Sequence, residues 1–179
     1  MSSQGRGVGT DSETSSAKEP LRAGQDSRLL ARAVELSRQG MHERLGGPFG
    51  AVVARDGEIV AEGSNRVVAA ADPTAHAEIV AIREAARLQD DFDLSGCTIY
   101  TSCEPCPMCL GAILWARIDR VVYANTRHEA ADIGFDDELF YREMATSVEQ
   151  RSLRCDHLPS PEAKAVFAEW GEQDDRVCY

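Results

Sequence analysis

The sequence has no long apolar run and comparatively few positive charges. None of its hydrophobic stretches is long enough to cross a bilayer, and its Ser-, Gly- and Thr-rich beginning has no apolar signal core. We therefore expect a cytoplasmic protein without a membrane partner. Lys and Arg number 19 against 30 Asp and Glu, which gives a formal net charge of -11. Because binding to polyanions depends on Lys and Arg that neutralise phosphates, this charge argues against nucleic acid as a partner.

The cysteines also lack the setting that disulfides need. Of the six cysteines, three fall within one short segment, at Cys103, Cys106 and Cys109. Without a secretory signal, metal binding is a better explanation of such a cluster than disulfide formation. The 179 residues, 43% hydrophobic and 27% charged, suffice for one well-buried globular domain.

The apolar periodicity predicts a single α/β domain with an extension at each end. We expect a disordered N-terminal extension over 1–26, a catalytic domain over 27–160, and a C-terminal helix and tail over 161–179. Helical spacing begins at Ser27, and Asp56-Gly57 suits a tight hairpin turn between two strands. The remaining predicted elements are a helix from His76, a strand at 97–101, a helix at 106–116, a strand at 120–124 and a helix at 161–170. This alternation predicts a three-layer α-β-α sandwich.

Two short motifs on consecutive predicted helices carry the chemistry. His76-Ala77-Glu78 begins one helix and Cys106-Pro107-Met108-Cys109 begins the next, which is a known signature of zinc deaminases. One imidazole and two thiolates hold zinc and leave a fourth position for a water that loses its proton near neutral pH. A helix N-terminus favours thiolate over thiol. Glu78 lies roughly 200° round the helix from His76, so we interpret it as a proton carrier and not a ligand.

Each motif alone has a more ordinary explanation. A single His-x-Glu is usually part of a helix surface, and a single Cys-x-x-Cys is more often a structural zinc site or a redox pair. Their combination favours a catalytic zinc. A structural zinc would need a fourth ligand, for which Cys103 is the candidate, although we place Cys103 in the loop before the second helix.

Four segments extend the pattern, namely GGPFGAV at 46–52, DPTAHAE at 72–78, TSCEPCPMC at 101–109 and GFDD at 134–137. Together they resemble the short guanine deaminases of the cytidine deaminase-like fold, over residues 27–179. The resemblance implies hydrolysis of guanine to xanthine and ammonia, and a homodimer whose C-terminal segment crosses to the partner and covers its site. It implies one zinc ion per subunit on His76, Cys106 and Cys109, with Glu78 and Asp137 as the catalytic residues. The implied contacts to the purine come from Asn65, Phe49, Ala75 and Tyr179.

Three other functions fit parts of the pattern. A tRNA adenosine deaminase shares the first and third segments, but it needs a basic surface that this acidic chain lacks. A guanosine deaminase shares nearly all the motifs. A catalytically silent scaffold stabilised by zinc is the remaining alternative.

Overall fold

The computed structural model of the chain describes residues 13–178 and is built around one mixed sheet of four strands. The strands follow the order β2-β1-β3-β4 across the sheet. β1 is antiparallel to both of its neighbours, whereas β3 and β4 are parallel. The strands are β1 (Gly50–Arg55), β2 (Glu58–Ser64), β3 (Cys97–Cys103) and β4 (Arg120–Asn125).

Seven helices surround this sheet within the described part of the chain. They are α1 (Glu13–His42), α2 (Val67–Ala70), α3 (Ala77–Gln89), α4 (Pro107–Trp115), α5 (Arg127–Asp132), α6 (Glu138–Ala145) and α7 (Pro161–Glu172). A short 3-10 turn, Val148–Gln150, follows α6. No helix within residues 13–178 is long and apolar enough to span a membrane.

The two faces of the sheet bury different helices. Successive strand residues point to opposite faces, so alternate side chains serve alternate cores. One face packs against α3 and α4 through a cluster that includes Val53, Ile99 and Ile113. The other face packs against α1, where Leu29 lies beside Val52. The predicted three-layer α-β-α sandwich is therefore confirmed.

Turn geometry explains why the hairpin forms where the sequence predicts it. Asp56 and Gly57 both have positive φ, at 53° and 82°, as the tight turn of a two-residue hairpin requires. β3 runs further than predicted and includes Cys103. The expected loop position of Cys103 was therefore wrong.

The start of the chain differs from the expected disorder over 1–26. α1 begins at Glu13, and Asp26 accepts hydrogen bonds from the Tyr100 hydroxyl at 2.7 Å and from Arg120 at 2.8 and 2.7 Å. These contacts join residues far apart in sequence, which explains why apolar periodicity does not reveal them. Residues 1–12 lie outside the described part of the chain.

The sequence gives little indication of the short helices. α2 has four residues and α6 has eight, so each is too short for apolar periodicity to mark it clearly. α7 begins at Pro161 as predicted and ends at Glu172, two positions after the expected Trp170.

Candidate active site

One cavity of about 470 Å³ opens at the edge of the sheet where β1 begins and β3 ends. The N-terminal ends of α3 and α4 face the same edge. At Gly63 of β2, a Cβ atom would collide with the Ala77 carbonyl oxygen, so glycine lets α3 begin close against the sheet. The polar and charged residues that line the cavity are Asn65, His76, Glu78, Thr101, Ser102, Cys103, Glu104, Cys106, Arg127, Asp136 and Asp137.

Three of the predicted residues form a compact set of metal donors. His76 and Cys106 are the extended N-cap residues of α3 and α4, and Cys109 lies in the first turn of α4. His76 Nδ1 lies 3.6 Å from Cys106 Sγ and 3.5 Å from Cys109 Sγ. All three donor atoms lie within 4.8 Å of one another.

These distances fit zinc. A tetrahedral ion with bonds of about 2.0–2.1 Å to nitrogen and about 2.3 Å to sulfur places those two donors about 3.6 Å apart. The hydrogen bond from the Cys109 thiol, assisted by His76, lowers the pKa of Cys106 to about 4 even though burial opposes this. Cys106 is therefore a thiolate near neutral pH, which is the form that binds metal.

Cys103 does not belong to this set of donors. Its Sγ donates to the Thr126 carbonyl oxygen at 3.7 Å, and burial raises the pKa of its thiol to about 11. Its thiol is engaged by that backbone carbonyl, and its sulfur is not among the donor atoms that lie within 4.8 Å of one another. The described residues thus offer three protein donors to the metal, which is the number typical of a catalytic zinc.

Glu78 is buried at the cavity wall and lies outside the set of three donors. Only 7% of the residue is exposed. Burial raises the pKa of its carboxyl group, which brings it nearer to the pH at which a group can both accept and donate a proton. This environment suits the role that the sequence assigns to it.

Asn65 is held in one orientation by its own carbonyl oxygen. Oδ1 accepts hydrogen bonds from the backbone N–H groups of Gly47 at 3.3 Å and Val67 at 3.2 Å. At Gly46, any Cβ atom would collide with that oxygen. Among the described residues no partner is found for Nδ2, so the amide presents two donors to the cavity. A purine contact by Asn65, as the sequence predicts, would therefore use the amide as a hydrogen-bond donor.

Asp137 and Phe49 lie on the wall formed by the GFDD segment. The rings of Phe49 and Phe135 meet edge to face with centroids 4.9 Å apart. Asp137 is the N-cap residue of α6, but its side chain caps no helical N–H. Burial raises the pKa of the Asp137 carboxyl group, and the positive charge of Arg127 opposes that effect.

One predicted contact is not brought to the cavity, and another lies outside the described residues. Ala75 is buried and does not line the wall; its N–H donates to the Asp72 carbonyl, and its carbonyl accepts from Arg66. Its substrate contact stays a prediction without structural support. Tyr179 lies outside the described residues. Arg127, by contrast, lines the cavity although the sequence did not predict it. No motif in the sequence marks this residue.

Comparison with known proteins gives consistent results. The family model for the cytidine and deoxycytidylate deaminase zinc-binding region matches residues 23–125. The guanine deaminase of Bacillus subtilis is 48% identical over 142 residues, 79% of this chain and 91% of that protein. The tRNA-specific adenosine deaminase of Haemophilus influenzae is 40% identical over 124 residues, 65% of this chain and 70% of that protein.

Two solved structures are similar to the chain. The X-ray structure of guanine deaminase from Bacillus subtilis superposes with a TM-score of 0.83 at 44% identity, covering 86% of this chain and 98% of that one. A mutant of the protein NE0047, solved in complex with 8-azaguanine, has a TM-score of 0.61 at 36% identity, covering 63% and 65% of the two chains.

Proposed function

The chain belongs to the cytidine and deoxycytidylate deaminase zinc-binding family, and on that premise we propose that it hydrolyses guanine to xanthine and ammonia. The observation that carries this proposal is the buried carboxylate of Glu78 beside a set of one imidazole and two sulfur donors. Three donors leave one tetrahedral position for water. The high identity to a guanine deaminase over most of both chains supports guanine as the base.

The side chains of the cavity divide the reaction between them. His76, Cys106 and Cys109 would hold one zinc ion per subunit. Bound there, zinc supplies the nucleophile by lowering the pKa of water towards neutrality. Glu78 accepts a proton from the attacking water at its carboxylate and returns it to a ring nitrogen of the purine. The second proton of that water, released as the C2 hydroxyl becomes a carbonyl, passes through the Asp137 carboxylate to the departing amine, so that the bond from C2 to nitrogen breaks and ammonia leaves.

Asn65 supports guanine over adenine. Guanine presents two acceptors, O6 and N7, on one edge, whereas adenine replaces O6 with an amino donor. Because Asn65 offers only donors to the cavity, it complements the edge of guanine and opposes that of adenine. Phe49 packs against the ring. The net charge of -11 also disfavours a tRNA substrate, and the adenosine deaminases are the more distant relatives.

The C-terminal segment supports the proposal of a homodimer with exchanged tails. α7 buries none of its residues, and Phe167 on this helix is 82% exposed. Val166 and Trp170 of the same helix are also exposed, and an exposed apolar patch of this kind marks an interaction surface. A second copy of the chain supplies that surface if residues 161–179 cross between subunits and place Tyr179 near the partner's cavity. The cytoplasmic location stays a prediction from the sequence.

Replacing Glu78 tests the function directly. Glu78→Gln keeps the size and burial of the side chain but removes its ability to carry the proton. We expect one zinc ion per chain and a loss of ammonia release from guanine of at least about 100-fold. Glu84→Gln, on the exposed side of the same helix, is the matched control. Retained turnover in Glu78→Gln removes Glu78 from its role. An ammonia assay of the wild type on guanine, guanosine, adenine and cytosine defines the substrate.

A further inference from the structure

Few contacts fix the position of helix α6. This helix follows Asp137, and none of its residues is buried. Since burial of an apolar face is what stabilises most helices in proteins, α6 must depend on individual contacts. Tyr141 makes two of them. Its hydroxyl donates to the Pro105 carbonyl oxygen at 3.4 Å, and the Arg127 guanidinium lies over its ring with Cζ 4.4 Å from the centroid.

Both contacts lead to the metal-binding loop. Pro105 immediately precedes Cys106 in the chain, and the backbone N–H of Arg127 donates to Glu104 Oε2 at 3.1 Å. Tyr141 follows Asp137 by one helical turn, and its N–H donates to the Asp137 carbonyl at 3.3 Å. Residues four apart lie on the same face of a helix. The face of α6 nearest Asp137 is therefore joined to the loop that carries a zinc ligand.

Arg127 also contributes charge to this arrangement. It is the only Lys or Arg among the described residues that line the cavity, where the carboxylates are Glu78, Glu104, Asp136 and Asp137. No ion pair within 4.0 Å joins it to a carboxylate in the described part of the chain. Stacking on an aromatic ring holds a guanidinium in place without neutralising it. Arg127 thus keeps a positive charge near Asp137.

We propose that Tyr141 and Arg127 are positioning residues that hold Asp137 at the cavity wall by tying α6 to the loop before Cys106. The proposal rests on the proposed function, in which Asp137 delivers a proton to the leaving amine. Removing either contact leaves the zinc donors and Glu78 in place. It displaces only the second carboxylate, so the effect falls on turnover and not on metal binding.

A double-mutant cycle with guanine as substrate tests this positioning. Tyr141→Leu and Arg127→Met are each measured alone and combined with Asp137→Asn. We expect each single change to lower kcat about 10-fold with KM within about twofold, and zinc to stay at one ion per chain. In the Asp137→Asn background neither change should lower kcat further. Tyr141→Phe, which keeps the ring under Arg127 but loses the hydrogen bond to Pro105, should lower kcat by less than Tyr141→Leu does, and Arg142→Ala on the exposed side of α6 is the control.

A second measurement does not depend on turnover. Hydrogen exchange of the amides in α6 should be faster in Tyr141→Leu than in the wild type, because the helix loses its connection to the loop. The positioning role is overturned if the fold-losses in kcat of the single variants multiply in the double variants. It is also overturned if the amides of α6 exchange at the wild-type rate in Tyr141→Leu. If Asp137→Asn itself turns over guanine at the wild-type rate, the role of Asp137 is wrong and the positioning role falls with it. If the wild type releases no ammonia from guanine, the proposed function fails, and hydrogen exchange alone then decides whether Tyr141 holds α6.

Discussion

The Asn65→Asp substitution separates two roles of the Asn65 side chain: accepting hydrogen bonds from the backbone and donating hydrogen bonds to the purine. Aspartate keeps Oδ1, which accepts from the backbone of Gly47 and Val67, but it replaces the two Nδ2 donors with an acceptor oxygen. A buried guanine O6 that loses its hydrogen-bond donor costs about 1–3 kcal/mol of binding free energy, or roughly 5- to 150-fold in kcat/KM. The new Asp carboxylate would also repel this oxygen. We therefore expect kcat/KM for guanine to fall about 100-fold. Zinc content should be unchanged, and the melting temperature should shift by no more than a few degrees.

The assay compares guanine with 2,6-diaminopurine, in which an amino donor replaces O6. In Asn65→Asp the ratio of kcat/KM values should move towards 2,6-diaminopurine, because its donor now faces an acceptor. Asn65→Ala is the contrasting variant: it removes both functions, leaves two backbone donors unpaired, and should also lower the melting temperature. If Asn65→Asp deaminates guanine as fast as the wild type while holding zinc, Asn65 does not donate to the base.

Two further predictions concern the metal set and the first helix. Cys103→Ser should keep one zinc ion per chain by metal analysis, whereas Cys109→Ser should lose zinc and activity together; loss of zinc in both variants would make Cys103 a ligand. Asp26→Asn should lower stability at pH 7 by about 1 kcal/mol, measured by denaturant unfolding. The hydrogen bond from Arg120 lowers the pKa of Asp26, so this contribution is present above the usual Asp range and is lost as the pH falls below it. A stability difference between the two proteins that does not shrink as the pH falls below the usual Asp range would contradict this explanation.

The sequence predicts the metal set well because its residues are close in the chain. His76 and Glu78 share one motif, and Cys106 and Cys109 share another. Each motif stands at the start of a helix, and the predicted strand at 97–101 separates the two helices. The layers of the fold follow from the same periodicity. Asn65 was predicted to lie at the site, but the direction of its amide depends on two backbone N–H groups that only the fold brings near it.

The contacts that the sequence does not predict join distant segments through single side chains. Arg127 stacks on Tyr141, and Asp26 pairs with Arg120, without any repeating pattern that marks either pair. Asp26, which joins α1 to Tyr100 and Arg120, lies within the region expected to be disordered. Such contacts carry little periodic signal because one polar side chain is enough to make each of them.

Some residues of the cavity lie on elements packed against the buried sheet and others lie on the exposed helix α6, so substitutions in the two groups should differ in their effect on folding. The zinc donors, Glu78 and Asn65 are attached to elements that pack on the buried sheet, so changes near them disturb folding as well as chemistry. Asp137 is attached to α6, which buries no residue. Directed evolution of new base preferences should therefore find most of its acceptable substitutions at the residues of α6 other than Tyr141, where a library can be large without depleting the pool of folded variants.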